Sequence, residues 1–175
     1  MKKLLLLSAL LIFACSSDDS NDNSNSSSIE GRWNLTSQKI KKIYKLKRRP
    51  AINPLIVHFL NYSNAENDVF LNNNFFKLYK KFCPGPITFI LKKKKESQIV
   101  SLVSAKLDTV AIRFPSHKII RSILKSIDFP LAMPSANISS NISPVNAEDV
   151  ADEFKKNINC ILDGGRSKIG IESTV

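Results

Sequence analysis

Glycine is scarce in this chain, with five in 175 residues, and tryptophan occurs once, which argues against collagen-like and glycine-linker architectures. The three cysteines, Cys15, Cys83 and Cys160, have no paired spacing, so neither a zinc site nor a disulfide framework is indicated. Two histidines cannot build a histidine-rich centre, and a catalytic metal would have to arrive with the substrate. No Walker-type loop and no dinucleotide glycine fingerprint is present, which leaves the common nucleotide folds without support. Acidic residues are outnumbered, 15 Asp+Glu against 26 Lys+Arg, for a net charge of +11. That balance favours a polyanionic partner: nucleotide phosphates, RNA or an anionic membrane face. Hydrophobic residues at 43% and charged residues at 23% fit one ordinary globular domain and exclude wholesale disorder.

The amino terminus does not match the rest. Lys2 and Lys3 precede the apolar run Leu4 to Phe13, too short to span a bilayer, and Ala14 before Cys15 resembles a lipoprotein cleavage box. Residues 1–15 therefore read as a lipoprotein-like signal. Ser16 to Ser28 is all Ser, Asp and Asn, a solvated tether that cannot bury a core. Ile29 to Thr36 reads as a strand without a sequel, so residues 16–38 are expected to be a disordered tether and a stray strand. A different domain is expected over 39–175, with the join near residues 36–42.

From Lys39 to Arg49 seven positive charges fall in eleven residues, and Pro50 and Pro54 are expected to forbid a helix through this segment. Leu55–Leu60 has strand length, and Phe75, Leu78, Tyr79 and Phe82 suit one helix face. Cys83-Pro84-Gly85-Pro86 stops that helix. Strands are predicted at 87–91, 110–115, 131–134 and 160–163, and helices at 119–127 and 146–155. Strands alternating with helices make an α/β or α+β domain.

Phosphate-binding chemistry concentrates in loops. Lys47-Arg48-Arg49-Pro50 offers guanidinium donors that clamp phosphate oxygens in pairs. Ser135-Ala136-Asn137-Ile138-Ser139 supplies hydroxyls, an amide and small side chains. Asp163-Gly164-Gly165 and Gly170-Ile171-Glu172-Ser173-Thr174 follow. Taken singly, each is ordinary. In order, Lys47-x-Arg49-Pro50, Asn53-Pro54-Leu55-Ile56-Val57-His58, Pro84-Gly85-Pro86-x-Thr88, Ala111-Ile112-Arg113-Phe114-Pro115, Pro134-Ser135-Ala136-Asn137-x-Ser139, Ser143-Pro144 and the segment from Asp163 to Val175 resemble the YrdC-like L-threonylcarbamoyladenylate synthases, over roughly residues 43–175.

The resemblance implies an α/β fold, a YrdC-like twisted mixed sheet with helices around a basic concave cleft. It implies a cytoplasmic nucleotidyltransferase that joins L-threonine, bicarbonate or CO2 and ATP, with Mg2+ on the triphosphate, into threonylcarbamoyl-AMP and pyrophosphate. Partner proteins would pass the threonylcarbamoyl group to an adenosine beside the tRNA anticodon. By motif position Lys47 and Arg49 would bind ATP phosphates, Asn53 would contact the nucleotide, and Thr109, Ala136 and Ser143 would line its side. His58 and Arg113 would hold threonine, with Ser135 and Ser173 close by. No residue is assigned as a covalent nucleophile, because alignment and charge neutralisation carry such a reaction. The family's Thr-Glu-Thr-x-Tyr-Gly-Leu type segment does not precede Lys39, the chain stops at Val175, and Ser140 stands where the family usually has glycine. A domain trimmed at both ends behind an unrelated leader is the expectation. Two other readings compete: a catalytically dead nucleotide- or RNA-binding remnant, and an exported lipoprotein anchored at a membrane through residues 1–15.

Overall fold

The computed structural model describes residues 29–167 and 174–175. The lipoprotein-like segment, most of the tether and Ser173 lie outside the described residues. In chain order the elements are α1 (Ile29–Leu46), β1 (Ile56–His58), α2 (Tyr62–Ala65), α3 (Asn73–Phe82), β2 (Thr88–Lys92), β3 (Thr109–Arg113), α4 (Lys118–Ser126), β4 (Leu131–Ala132) and α5 (Ala147–Phe154), which ends in a 3-10 turn, Lys155–Asn157.

The strands form one mixed sheet in the order β2-β3-β1-β4. β1 and β3 run parallel, pairing His58 with Arg113 and Ile56 with Ala111. β2 is antiparallel to β3, with Thr88 opposite Arg113, and β4 is antiparallel to β1, with Leu131 opposite His58. Because side chains alternate across a strand, this register divides the sheet cleanly. Val57, Phe89, Leu91, Val110 and Ile112 all fall on one face and are buried in the main core. His58, Thr88, Ile90, Thr109 and Arg113 fall on the other.

Aromatic rings fill the core side. Phe75 of α3 packs edge-on to Phe89 with centroids 4.9 Å apart, and Tyr79 packs edge-on to Phe114 at the same 4.9 Å. Such tilted pairs add to the burial of their area. The helical stripe predicted on α3 is therefore narrower than its spacing suggests: Phe75 and Tyr79 point inward, while Leu78 and Phe82 remain exposed. Asn72 caps α3 by accepting a hydrogen bond from the Phe75 amide at 2.8 Å. After α3 the chain turns so tightly that a Cβ on Gly85 would lie 2.1 Å from the Phe82 carbonyl oxygen, which reserves that position for glycine.

Three sequence expectations are corrected, the first being that Pro50 and Pro54 forbid a helix through the basic segment: α1 runs through it to Leu46, and both prolines lie beyond the helix end. Ile29 to Thr36 is helical, not a stray strand, and α1 continues without a break to Leu46, so residues 29–38 are not a disordered tether. The cause is visible further along: Ile40, Ile43, Tyr44 and Lys47, spaced i, i+3, i+4 and i+7, are all buried. That stripe is interleaved with exposed lysines, which hid it. Residues 160–163 form no strand, and Cys160 is exposed rather than near the core. No described strand lies alongside to supply the ladder partners an extended segment needs. Among the described residues, no helix is long and apolar enough to cross a membrane.

Candidate functional site

β1 and β3 are the parallel pair, and His58 and Arg113 are their carboxyl-terminal residues, side by side. In α/β sheets this end is where ligands bind. Both residues are buried, yet they face away from the aromatic core. The Arg113 guanidinium donates from Nε and Nη2 to the Thr88 hydroxyl oxygen at 2.9 and 2.6 Å. The His58 Nδ1 lies 3.2 Å from the Ile56 carbonyl oxygen, an arrangement that makes Nδ1 the donor. Its Nε2 has no hydrogen-bond partner among the described residues. Burial first, and the Arg113 charge second, push the imidazole pKa down to about 3, so His58 is neutral at physiological pH. The result is a buried cation beside a neutral ring that the backbone at Ile56 and Leu131 also touches and whose Nε2 makes no hydrogen bond among the described residues.

A second cluster forms where α1 ends. Lys47 is fully buried, and its ammonium donates to the carbonyl oxygens of Ser135, at 2.5 Å, and of Asn137. The Lys47 carbonyl in turn accepts from the Ser139 amide at 2.8 Å. Lys47 and the Ser-Ala-Asn segment, 88 residues apart, are thus one assembly. Ala136 is buried against Val150 and Phe154 of α5. Ser139 Oγ is buried without a hydrogen-bond partner in the structure described. Arg49 uses part of its guanidinium to hold the turn that follows it, donating to the carbonyls of Asn53 at 3.2 Å and Pro54 at 2.9 Å. Asn53 is exposed at that turn, and Ser143 is half-buried in the loop before α5.

Thr109 shares a sheet face with Arg113 but begins β3 where Arg113 ends it, about 13 Å away along the strand. The structure therefore joins His58 to Arg113, and Lys47 to the Ser135–Asn137 segment, while Thr109 lies at the far end of β3 from Arg113. Thr88, Asn137, Ser139 and Glu153 make contacts to which sequence reasoning assigns no role. Three of them stand in the quoted motifs. Glu153 had no signal beyond an acidic helix. Among the described residues no three His, Cys, Asp or Glu side chains come together as a metal site.

The Sua5/YciO/YrdC family model, described as "Telomere recombination", matches residues 34–175. The chain belongs to that family. The family match starts inside α1, ahead of the composition boundary at Lys39. The threonylcarbamoyl-AMP synthase of Pyrococcus abyssi is 41% identical over 143 residues, covering 81% of this chain and 41% of that protein. The threonylcarbamoyl-AMP synthase of Bacillus subtilis is 43% identical over 137 residues, covering 78% of this chain and 39% of that one. A crystal structure of P. abyssi Sua5 complexed with L-threonine superposes with a TM-score of 0.74 at 39% identity, over 79% of this chain and 41% of that chain. This family member thus spans about two-fifths of the length of these relatives, and its mixed sheet with flanking helices is the fold they share.

Proposed function

We propose that the chain binds MgATP and L-threonine and forms threonylcarbamoyl-AMP. The threonine amine adds to CO2 with loss of a proton, or condenses with bicarbonate with loss of water, to give a carbamate, and a carbamate oxygen attacks the α-phosphorus. The bond to the β-phosphate oxygen breaks, and pyrophosphate leaves. The observation that carries the proposal is the adjacent pair His58 and Arg113, with the vacant His58 Nε2. A guanidinium suits a carboxylate by its planar fork. A neutral imidazole acceptor suits a hydroxyl or amine donor. L-Threonine carries all three groups. The likeness to a relative solved with L-threonine supports the same assignment.

Arg49 and the Lys47 assembly are the nucleotide side of this reading, with Asn53, Ala136 and Ser143, and Ser135 is assigned with His58 and Arg113 to the threonine side. Thr109 and Ser173 complete the set proposed from the motifs. The divalent ion belongs to the triphosphate and shares its charge neutralisation. In this reading the chain works in the cytoplasm, where ATP is. Its product goes to the proteins that transfer the threonylcarbamoyl group to a tRNA adenosine beside the anticodon.

The test is pyrophosphate release by the purified full chain with ATP, Mg2+ and bicarbonate, with and without L-threonine, beside Arg49→Ala. Threonine-dependent release that disappears in the variant is the expected result. A folded chain that binds nucleotide or RNA in a salt-dependent way, yet releases no pyrophosphate, would make it a binding module instead.

A further inference from the structure

Residues 138–145 form the loop that carries Ser139 and Ser143 between the Ser-Ala-Asn segment and α5. Glu153 reaches back to it: its Oε1 accepts hydrogen bonds from the Ile138 amide at 2.8 Å and from Asn141 Nδ2 at 2.7 Å. One helical turn earlier, Asp149 Oδ2 accepts from the Val145 amide at 3.0 Å. Residues i and i+4 share a helix face, so the two carboxylates grip the loop near its two ends from one rigid element. α5 is fixed beneath them by Val150 and Phe154, buried against Ala136. The Lys47 carbonyl also holds the Ser139 amide at 2.8 Å. Within the loop, Asn137 Nδ2 donates to the Asn141 carbonyl at 2.7 Å.

The loop would not hold this shape unaided. Ser140 has φ +73°, in the left-handed region that a residue with a side chain avoids. Ser139 Oγ is kept buried with no hydrogen-bond partner in the structure described. An arrangement that is strained in the backbone and leaves a hydroxyl unmet needs outside restraint, and a bound ligand gives it a purpose.

We propose that Glu153, assisted by Asp149, is a positioning residue that straps the 138–145 loop into its nucleotide-binding shape. The proposal rests on the nucleotide reading given above. Carboxylate acceptors of amide donors are among the stronger hydrogen bonds, and fixing a loop in its bound shape lowers the ordering cost that binding otherwise meets.

The experiment compares the full chain with Glu153→Ala and Glu153→Gln, the latter keeping a side-chain carbonyl acceptor. ATP affinity is measured by calorimetry, and amide hydrogen exchange is read at Ile138 and at the β3 amides. Expected for Glu153→Ala is ATP binding weaker by about tenfold, with faster exchange at Ile138 and unchanged exchange in β3. Glu153→Gln should restore most of the affinity. Wild-type affinity in Glu153→Ala overturns the strap, as does faster exchange in β3 equal to that at Ile138, which would make Glu153 a general stabiliser. If the wild-type chain itself binds no ATP, the nucleotide reading fails and the strap falls with it, a result told apart by the wild-type measurement alone.

Discussion

His58 sets a pH dependence that belongs to a single residue. Its pKa is lowered to about 3 in the folded chain, so between that value and the ordinary histidine range near 6.5 the unfolded chain binds a proton that the folded chain refuses. Stability must therefore fall as pH drops through this window, by up to about 1.4 kcal/mol per pH unit. Urea midpoints measured from pH 7 to pH 4 should show that slope, and His58→Gln should flatten it. An unchanged slope in the variant would mean that other groups drive the acid response. A second residue-scale expectation concerns Ser140, which holds φ +73° where glycine is at ease. Ser140→Gly should raise the unfolding free energy by roughly 0.5–1 kcal/mol, read as a higher melting temperature. A lower melting temperature would mean the side chain compensates for its backbone. Of the residues that stand in ordered motifs, the structure brings Lys47 to the Ser135 carbonyl and sets His58 beside Arg113, so their grouping is legible from sequence order. What the motifs could not convey is which atoms remain open. The vacant Nε2 of His58 depends on which carbonyl the other nitrogen meets.

At the scale of elements, α1 is the instructive case. Its lysines dominate the local composition, while Ile40, Ile43 and Tyr44, with Lys47 just past its end, are the buried positions among its residues with described side chains. A lysine on the buried side breaks the apolar pattern, so the period was invisible without knowing that Lys47 meets the carbonyls of Ser135 and Asn137. α4, by contrast, was legible because Ile120 and Leu124 are buried on an uninterrupted stripe. The contacts of Lys47 give an element-scale prediction. Lys47→Met keeps the apolar stem but leaves buried carbonyls without their donor, at a cost of about 1–3 kcal/mol. Denaturant unfolding should register that loss, and calorimetry should show ATP binding reduced as the Ser-Ala-Asn segment comes away from α1. A variant as stable as wild type would place the ammonium in solvent, contrary to its full burial.

Over the whole molecule, one sheet separates the packed core from the candidate site. Its buried face, joined to the α3 aromatics and Phe114, supplies the core, and its other face carries His58, Thr88 and Arg113 at the ends of β1, β2 and β3. Alternation along the strands makes this division, and it was legible wherever hydrophobic runs were long enough to read as strands. It failed at residues 160–163, because strand formation depends on a neighbour and not on composition alone. The division predicts unequal costs for two truncations on adjacent strands or their ends. Phe114 is fully buried, with rings of Phe75, Tyr79 and Phe89 at 6.0, 4.9 and 6.2 Å. Phe114→Ala should cost about 3–5 kcal/mol, since a large cavity opens in a packed cluster. Ile90 lies 59% exposed on the opposite face, and Ile90→Ala should cost below about 1 kcal/mol. Urea unfolding of the two variants decides the matter: the gap follows if the core is one-sided, and similar losses would mean that the Ile90 face is packed as well.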